Sequence, residues 1–158
     1  MLKRIFATIT VALLVSFGIQ VPAYADPVYD FEVVGSATVN TTTVPSVITW
    51  TLVVSRVGDL MGFGGAQDGY VSFTAPTSIS LVLSDDCDTS GNTVTCYWFV
   101  EDGTPATFEV SGLVTLLALG AITITPTFTM NSPRTDAYGT NDSDTVTCTA
   151  VTSLLVTC

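Results

Sequence analysis

The chain has 158 residues, with 14 acidic side chains against 4 basic ones and a formal net charge of −10. A balance of that sign repels phosphate backbones and anionic membrane surfaces, which excludes nucleic-acid binding. Histidine is absent, which excludes Ser-His-Asp and Cys-His nucleophiles and a histidine-ligated catalytic zinc.

Lys3 and Arg4 precede an apolar run from Ile5 to about Ile19, followed by the small-x-small triplet Ala23-Tyr24-Ala25. That order predicts a cleavable signal peptide over residues 1–25, cut before Asp26, with no membrane anchor left afterwards. The run is also shorter than the ~20 residues a spanning helix needs. Residues 26–158 are then one domain. Without Lys3 and Arg4 the basic residues are Arg56 and Arg134 alone, and the formal charge becomes −12. Lysine is missing from this part, which removes Schiff-base chemistry and lysine isopeptide staples.

Threonine supplies 25 of the residues after Ala25, and valine is also abundant. Both are β-branched and suit a pleated, half-buried surface. Tyr29 to Val34 is a first strand, and Val39 to Ser46 a polar connection ending at a proline. From Val47 to Ser55, Ile48, Trp50, Leu52 and Val54 alternate with smaller polar residues, so this is a strand with Trp50 in the core. The glycine-rich stretch Val57 to Gly69 reads as a surface loop. Leu60, Met61 and Phe63 on it form a candidate contact patch, or else cover the end of the sandwich. Tyr70 to Thr74 and Ile79 to Leu83 are short strands.

Ser84 to Val100 is a hairpin around a Ser-Gly-Asn turn, with Val94, Cys96, Trp98 and Val100 on one face. All four cysteines, Cys87, Cys96, Cys148 and Cys158, lie in the exported part, where an even count favours disulfides over metal or catalysis. Three connectivities are open. The local one, Cys87–Cys96 with Cys148–Cys158, needs no assumption about the distant fold. Ala106 to Val110 is a strand, and Gly112 to Ala121 a buried strand ending in a bend. Ile122, Ile124, Phe128 and Met130 then alternate with Thr123, Thr125, Thr127 and Thr129. Pro126 interrupts the pattern and requires an edge strand or a bulge. Asn131 to Asp144 is an acidic loop, and Thr145 to Val151 the last strand.

Some seven or eight short strands with no competing helical pattern predict an all-β, Ig-like antiparallel sandwich. Three stretches resemble the conserved repeat domain of bacterial and archaeal surface proteins. They are VITWTLVVSRVG, the central Cys-x-x-Ser-Gly-x-x-Val-x-Cys hairpin (CDTSGNTVTC) with its flanking strands, and TDAYGTNDSDTVTC. The resemblance spans most of Asp30 to Val151. It implies a non-catalytic, Ig-like module of secreted or cell-surface proteins, acting in extracellular binding or surface structure on an unidentified partner. The chain departs from that pattern in being a single copy with an extra C-terminal cysteine pair.

Two chemistries remain to be weighed. A carboxylate-dependent, glycosidase-like hydrolase would need an acid pair such as Glu101 and Glu109, but surface carboxylates flanking a turn are the plainer reading. A weak calcium-dependent module would use Asp86, Asp88 and Ser90, whose spacing copies the opening of a calcium loop. Tyr97 stands where that loop requires its bidentate glutamate. Asn141, Asp142 and Asp144 are a second oxygen-rich group. Asp, Asn, Ser and Gly are also ordinary turn chemistry, so no cofactor is expected.

Overall fold

A computed structural model describes residues 30–57, 67–82, 86–100, 104–115, 118–131, 136 and 138–158. The expected signal peptide and the patch at Leu60, Met61 and Phe63 lie outside these residues.

The described residues form eleven strands: β1 (Phe31–Asn40), β2 (Val47–Arg56), β3 (Gln67–Thr74), β4 (Ile79–Val82), β5 (Cys87–Ser90), β6 (Thr93–Val100), β7 (Ala106–Val114), β8 (Gly120–Ile124), β9 (Thr127–Met130), β10 (Val146–Thr152) and β11 (Leu155–Thr157). Every pairing is antiparallel. One sheet has the order β1-β2-β7-β4, a second β5-β6-β3-β9, and a third β11-β10-β8. The first order is that of the A-B-E-D sheet of an Ig-like sandwich. The facing layer departs from the pattern, because the β5–β6 hairpin is added beside β3 and the closing strands form a separate sheet.

The core follows from period-2 alternation. Ile48, Trp50, Leu52 and Val54 of β2 are wholly buried, as are Val71, Val94, Cys96, Val110 and Val114 from the neighbouring strands. Trp50 packs against Phe73 across the sandwich, with ring centroids 6.1 Å apart. Trp98 meets Phe31 at 4.9 Å and Phe128 at 5.6 Å, both edge to face, the arrangement that ring quadrupoles favour. Both tryptophans therefore lie on the interior face that the alternation assigns.

Three expectations change. β1 runs to Asn40 instead of ending at Val34, because all ten of its residues pair with β2, from Phe31 opposite Arg56 to Asn40 opposite Val47. β7 continues through Gly112 to Val114, so the first part of the Leu-rich stretch belongs to the preceding strand. The threonine-alternating segment is two strands. At Pro126 the chain leaves β10, the partner of β8, for β3, the partner of β9. Both halves are edge strands, so the missing proline N–H breaks no ladder. The additional strands beyond the expected seven or eight come from this division, from β5 being a strand in its own right, and from the short β11.

The hairpin turn is Gly91-Asn92, with Ser90 opposite Thr93. Gly91 has φ +62° and Asn92 does not share the positive φ, the signature of a type II′ turn, which requires glycine first. Cys87 lies opposite Cys96 across this hairpin, and Cys148–Cys158 ties β10 to the residue after β11. The local connectivity is the one formed.

Candidate functional site

The densest polar arrangement among the described residues lies along the outer edge of β1. In an antiparallel ladder, alternate backbone amides of an edge strand point away from the sheet and need other acceptors. On β1 the first three of these are Phe31, Val33 and Gly35, and the acidic loop supplies an acceptor to each. Phe31 N–H donates to Asp136 Oδ2 at 2.9 Å, Val33 N–H to the Asn141 carbonyl at 3.0 Å, and Gly35 N–H to Asp144 Oδ2 at 2.8 Å. The loop thus serves the first half of β1 as a substitute strand, with two carboxylate oxygens and one carbonyl as the acceptors. It covers an edge that would otherwise invite pairing with another chain.

Gly35 is required at the tightest point. A Cβ there would overlap Val146 Cγ2 of β10 and stand 3.6 Å from Asp144 Oδ2. The other Asp136 oxygen accepts Tyr138 N–H at 3.0 Å, and Asp144 Oδ1 accepts Thr145 N–H at 2.7 Å. Asn141 Nδ2 donates to Asp30 Oδ1 at 2.8 Å, and the Asp142 carbonyl accepts Phe128 N–H at 2.7 Å. The loop is therefore fastened to β1 on one side and β9 on the other.

This concentration of acids perturbs one of them. Burial pushes the Asp142 carboxyl up from 3.8 to about 6; the Asp136 charge, a hydrogen bond with Asp136 and the Asp30 charge add to it. Asp142 Oδ1 and Asn141 Oδ1 are both buried without a hydrogen-bond partner in the structure. As a general acid–base pair Asp136 and Asp142 are poorly placed, because both Asp136 oxygens already accept backbone amides.

The residues singled out in the sequence fall in different places. Asp86 is an exposed turn residue, while Asp88 and Ser90 are exposed on β5. The segment is strand where a calcium motif needs a loop, so successive donors stand about 6.7 Å apart along an extended chain. Among the described residues, no group of three or more Cys, Asp or Glu is arranged to hold a metal ion. Glu109 is exposed on β7, and Glu101 lies outside the described residues. Asn141, Asp142 and Asp144 do come together, joined by Asp30 and Asp136. Asp136 belongs to the acidic loop read in the sequence, whereas Asp30 carries no such signal, since its partner Asn141 is 111 positions away.

No family model matches the chain, and no curated protein matches it significantly. The resemblance to the surface-protein repeat domain therefore rests on the motifs themselves. Among solved structures, the crystal structure of the Actinomyces fimbrial adhesin FimA is similar at 17% identity with a TM-score of 0.45. The similarity covers 76% of this chain and 56% of the adhesin chain, so this chain spans little more than half of that structure.

Proposed function

We propose that the protein is exported and acts outside the cell as a non-catalytic Ig-like sandwich module, for binding or for cell-surface structure. The observation that carries this reading is the pair of closed cystines, Cys87–Cys96 and Cys148–Cys158, with no cysteine left free. Disulfides of this kind persist in oxidising compartments and are rare where glutathione keeps thiols reduced. The basic-apolar-cleavable order of residues 1–25 supports the same compartment. The resemblance to the repeat domain of surface proteins supports the module role, and the engagement of Asp136 with backbone amides speaks against a hydrolase.

The test is expression of the full-length chain in an exporting host. The recovered protein should begin at Asp26, and a non-reducing peptide map should contain Cys87 linked to Cys96 and Cys148 linked to Cys158. Incubation with polysaccharides should release no reducing ends. A full-length cytoplasmic product with four titratable thiols would overturn the compartment, and sustained sugar release would overturn the non-catalytic role.

A further inference from the structure

Opposed sheets of a sandwich leave an open seam where their edge strands do not pair. Here β4 is an edge of the first sheet and β5 an edge of the second. A cleft of about 370 Å³ lies at this seam, lined by β4, by the β5–β6 turn and by the residues flanking β4 and β7. Thr77, Ser80, Thr89, Asn92 and Thr115 line it, with Leu81 supplying an apolar wall. Among the described residues, none of these five side chains is held by another group. Among the described residues, none of those lining the cleft carries a charge, in a chain whose formal charge is −10.

We infer that this seam cleft binds a short neutral glycan. Four hydroxyls and one amide offer both donors and acceptors, as a ring of sugar hydroxyls requires. The protein's field opposes an anion, and a cation would find no carboxylate among the described lining residues. The volume falls in the range of small-molecule sites and exceeds what a lone ion or water needs. An extended peptide is the other ligand an open seam invites, through main-chain pairing to an edge. β4 and β5 have four residues each, so only alternate residues offer outward backbone groups. Ile79 N–H is already donated to the Pro76 carbonyl. The ladder open to a peptide is therefore short, whereas the side-chain donors and acceptors are all unspent.

This inference deepens the binding half of the proposed function and rests on it, and the two fail separately. The experiment is a two-dimensional amide NMR titration of the exported protein with cellobiose, maltose and N,N′-diacetylchitobiose. A hexathreonine peptide and dextran sulfate are run in parallel. Saturable shifts are expected with at least one disaccharide, centred on Ser80, Thr89, Gly91 and Asn92 and unaffected by added salt. Thr89→Val with Ser80→Ala, both at exposed strand positions, should weaken binding about tenfold, roughly two hydrogen bonds, while leaving the melting temperature unchanged. No saturable shift with any of the three sugars, shifts elsewhere on the surface, or tighter binding of the peptide or the polyanion would each overturn the inference. Binding followed by cleavage of the sugar would leave the cleft intact and overturn the non-catalytic reading instead.

Discussion

Gly112→Ala is the substitution for which the packing gives the sharpest expectation. Gly112 lies in β7, opposite Ile48 of β2 on one side and Leu81 of β4 on the other. A Cβ at this position would overlap Ile79 Cγ2 and stand 3.1 Å and 3.3 Å from two atoms of the Trp50 ring. Trp50 is wholly inaccessible and packs on Phe73, so the ring has little room to retreat. Forcing an extra methyl into such a site costs about 1–3 kcal/mol. Restricting the unfolded backbone returns about 0.4–1 kcal/mol. The net expectation is a loss of about 1–2 kcal/mol, or ~4–8 °C in Tm for a domain of this size. Urea unfolding followed by tryptophan fluorescence should show a lower midpoint at unchanged slope. Because Ile79 Cγ2 is the obstructing atom, Ile79→Ala should relieve the clash. In that background Gly112→Ala should cost less, with a coupling of at least about 0.5 kcal/mol. An alanine variant as stable as the parent, or a strictly additive double variant, would mean that the glycine is not there to admit the tryptophan.

Trp50→Ala and Trp98→Ala should each destabilise by about 3–5 kcal/mol, and native emission should be blue-shifted; emission like that of free tryptophan would refute the burial of both rings. Because the folded pKa of Asp142, about 6, lies above its ordinary 3.8, the group favours folding most below about 4, and that contribution fades with rising pH and is gone above about 6. The full shift corresponds to about 3 kcal/mol, reduced to about 1–2 because the side chain is partly open to solvent. Asp142→Asn should therefore stabilise the protein by that amount at pH 7 and be near neutral at pH 3.5; equal effects at both pH values in urea melts would refute it. Sodium chloride should raise Tm by screening the self-repulsion of fourteen acids, and calcium at constant ionic strength should add to it only at millimolar levels. A large shift at micromolar calcium, abolished by Asp86→Ala with Asp88→Ala, would reverse that expectation.

What the sequence disclosed is what period-2 alternation encodes locally. Ile48 to Val54 announces both the strand and its buried face, and Val94 to Trp98 does the same for β6. The cystine hairpin was legible because its two cysteines and its glycine lie within a single turn's reach. The extension of β1 was not. Val39 and Asn40 look like the start of a polar connection until the ten-residue pairing with β2 claims them. The exchange of sheets at Pro126 was partly legible: the proline marked an edge strand or a bulge, but nothing local showed that the pairing partner changes there. The acidic seam was half visible. Asp136, Asn141, Asp142 and Asp144 lie in one visibly acidic loop, but Asp30 joins them, and the loop meets β1, through contacts that no local pattern predicts. Acid-rich loops suggest metals when read in sequence. Here the oxygens accept the amides of an uncovered strand.

The second disulfide also determines how the fold would carry mechanical load. Cys158 is covalently joined to Cys148, and Cys148 lies midway along the β10–β8 ladder, opposite Ile122. A pull applied at Cys158 therefore enters the sheet at Cys148 and bypasses β11 and the turn before it. The short β11 cannot be peeled away first, as a three-residue edge strand otherwise would be. Tension is delivered instead to the centre of a ladder whose far end, at Val146 and Ile124, lies next to the acidic covering of β1. Reduction of that one bond would shift the point of entry to β11 and convert a loaded ladder into a frayed end, so the protein's resistance to traction would depend on the redox state of a bond that spans only ten residues of sequence.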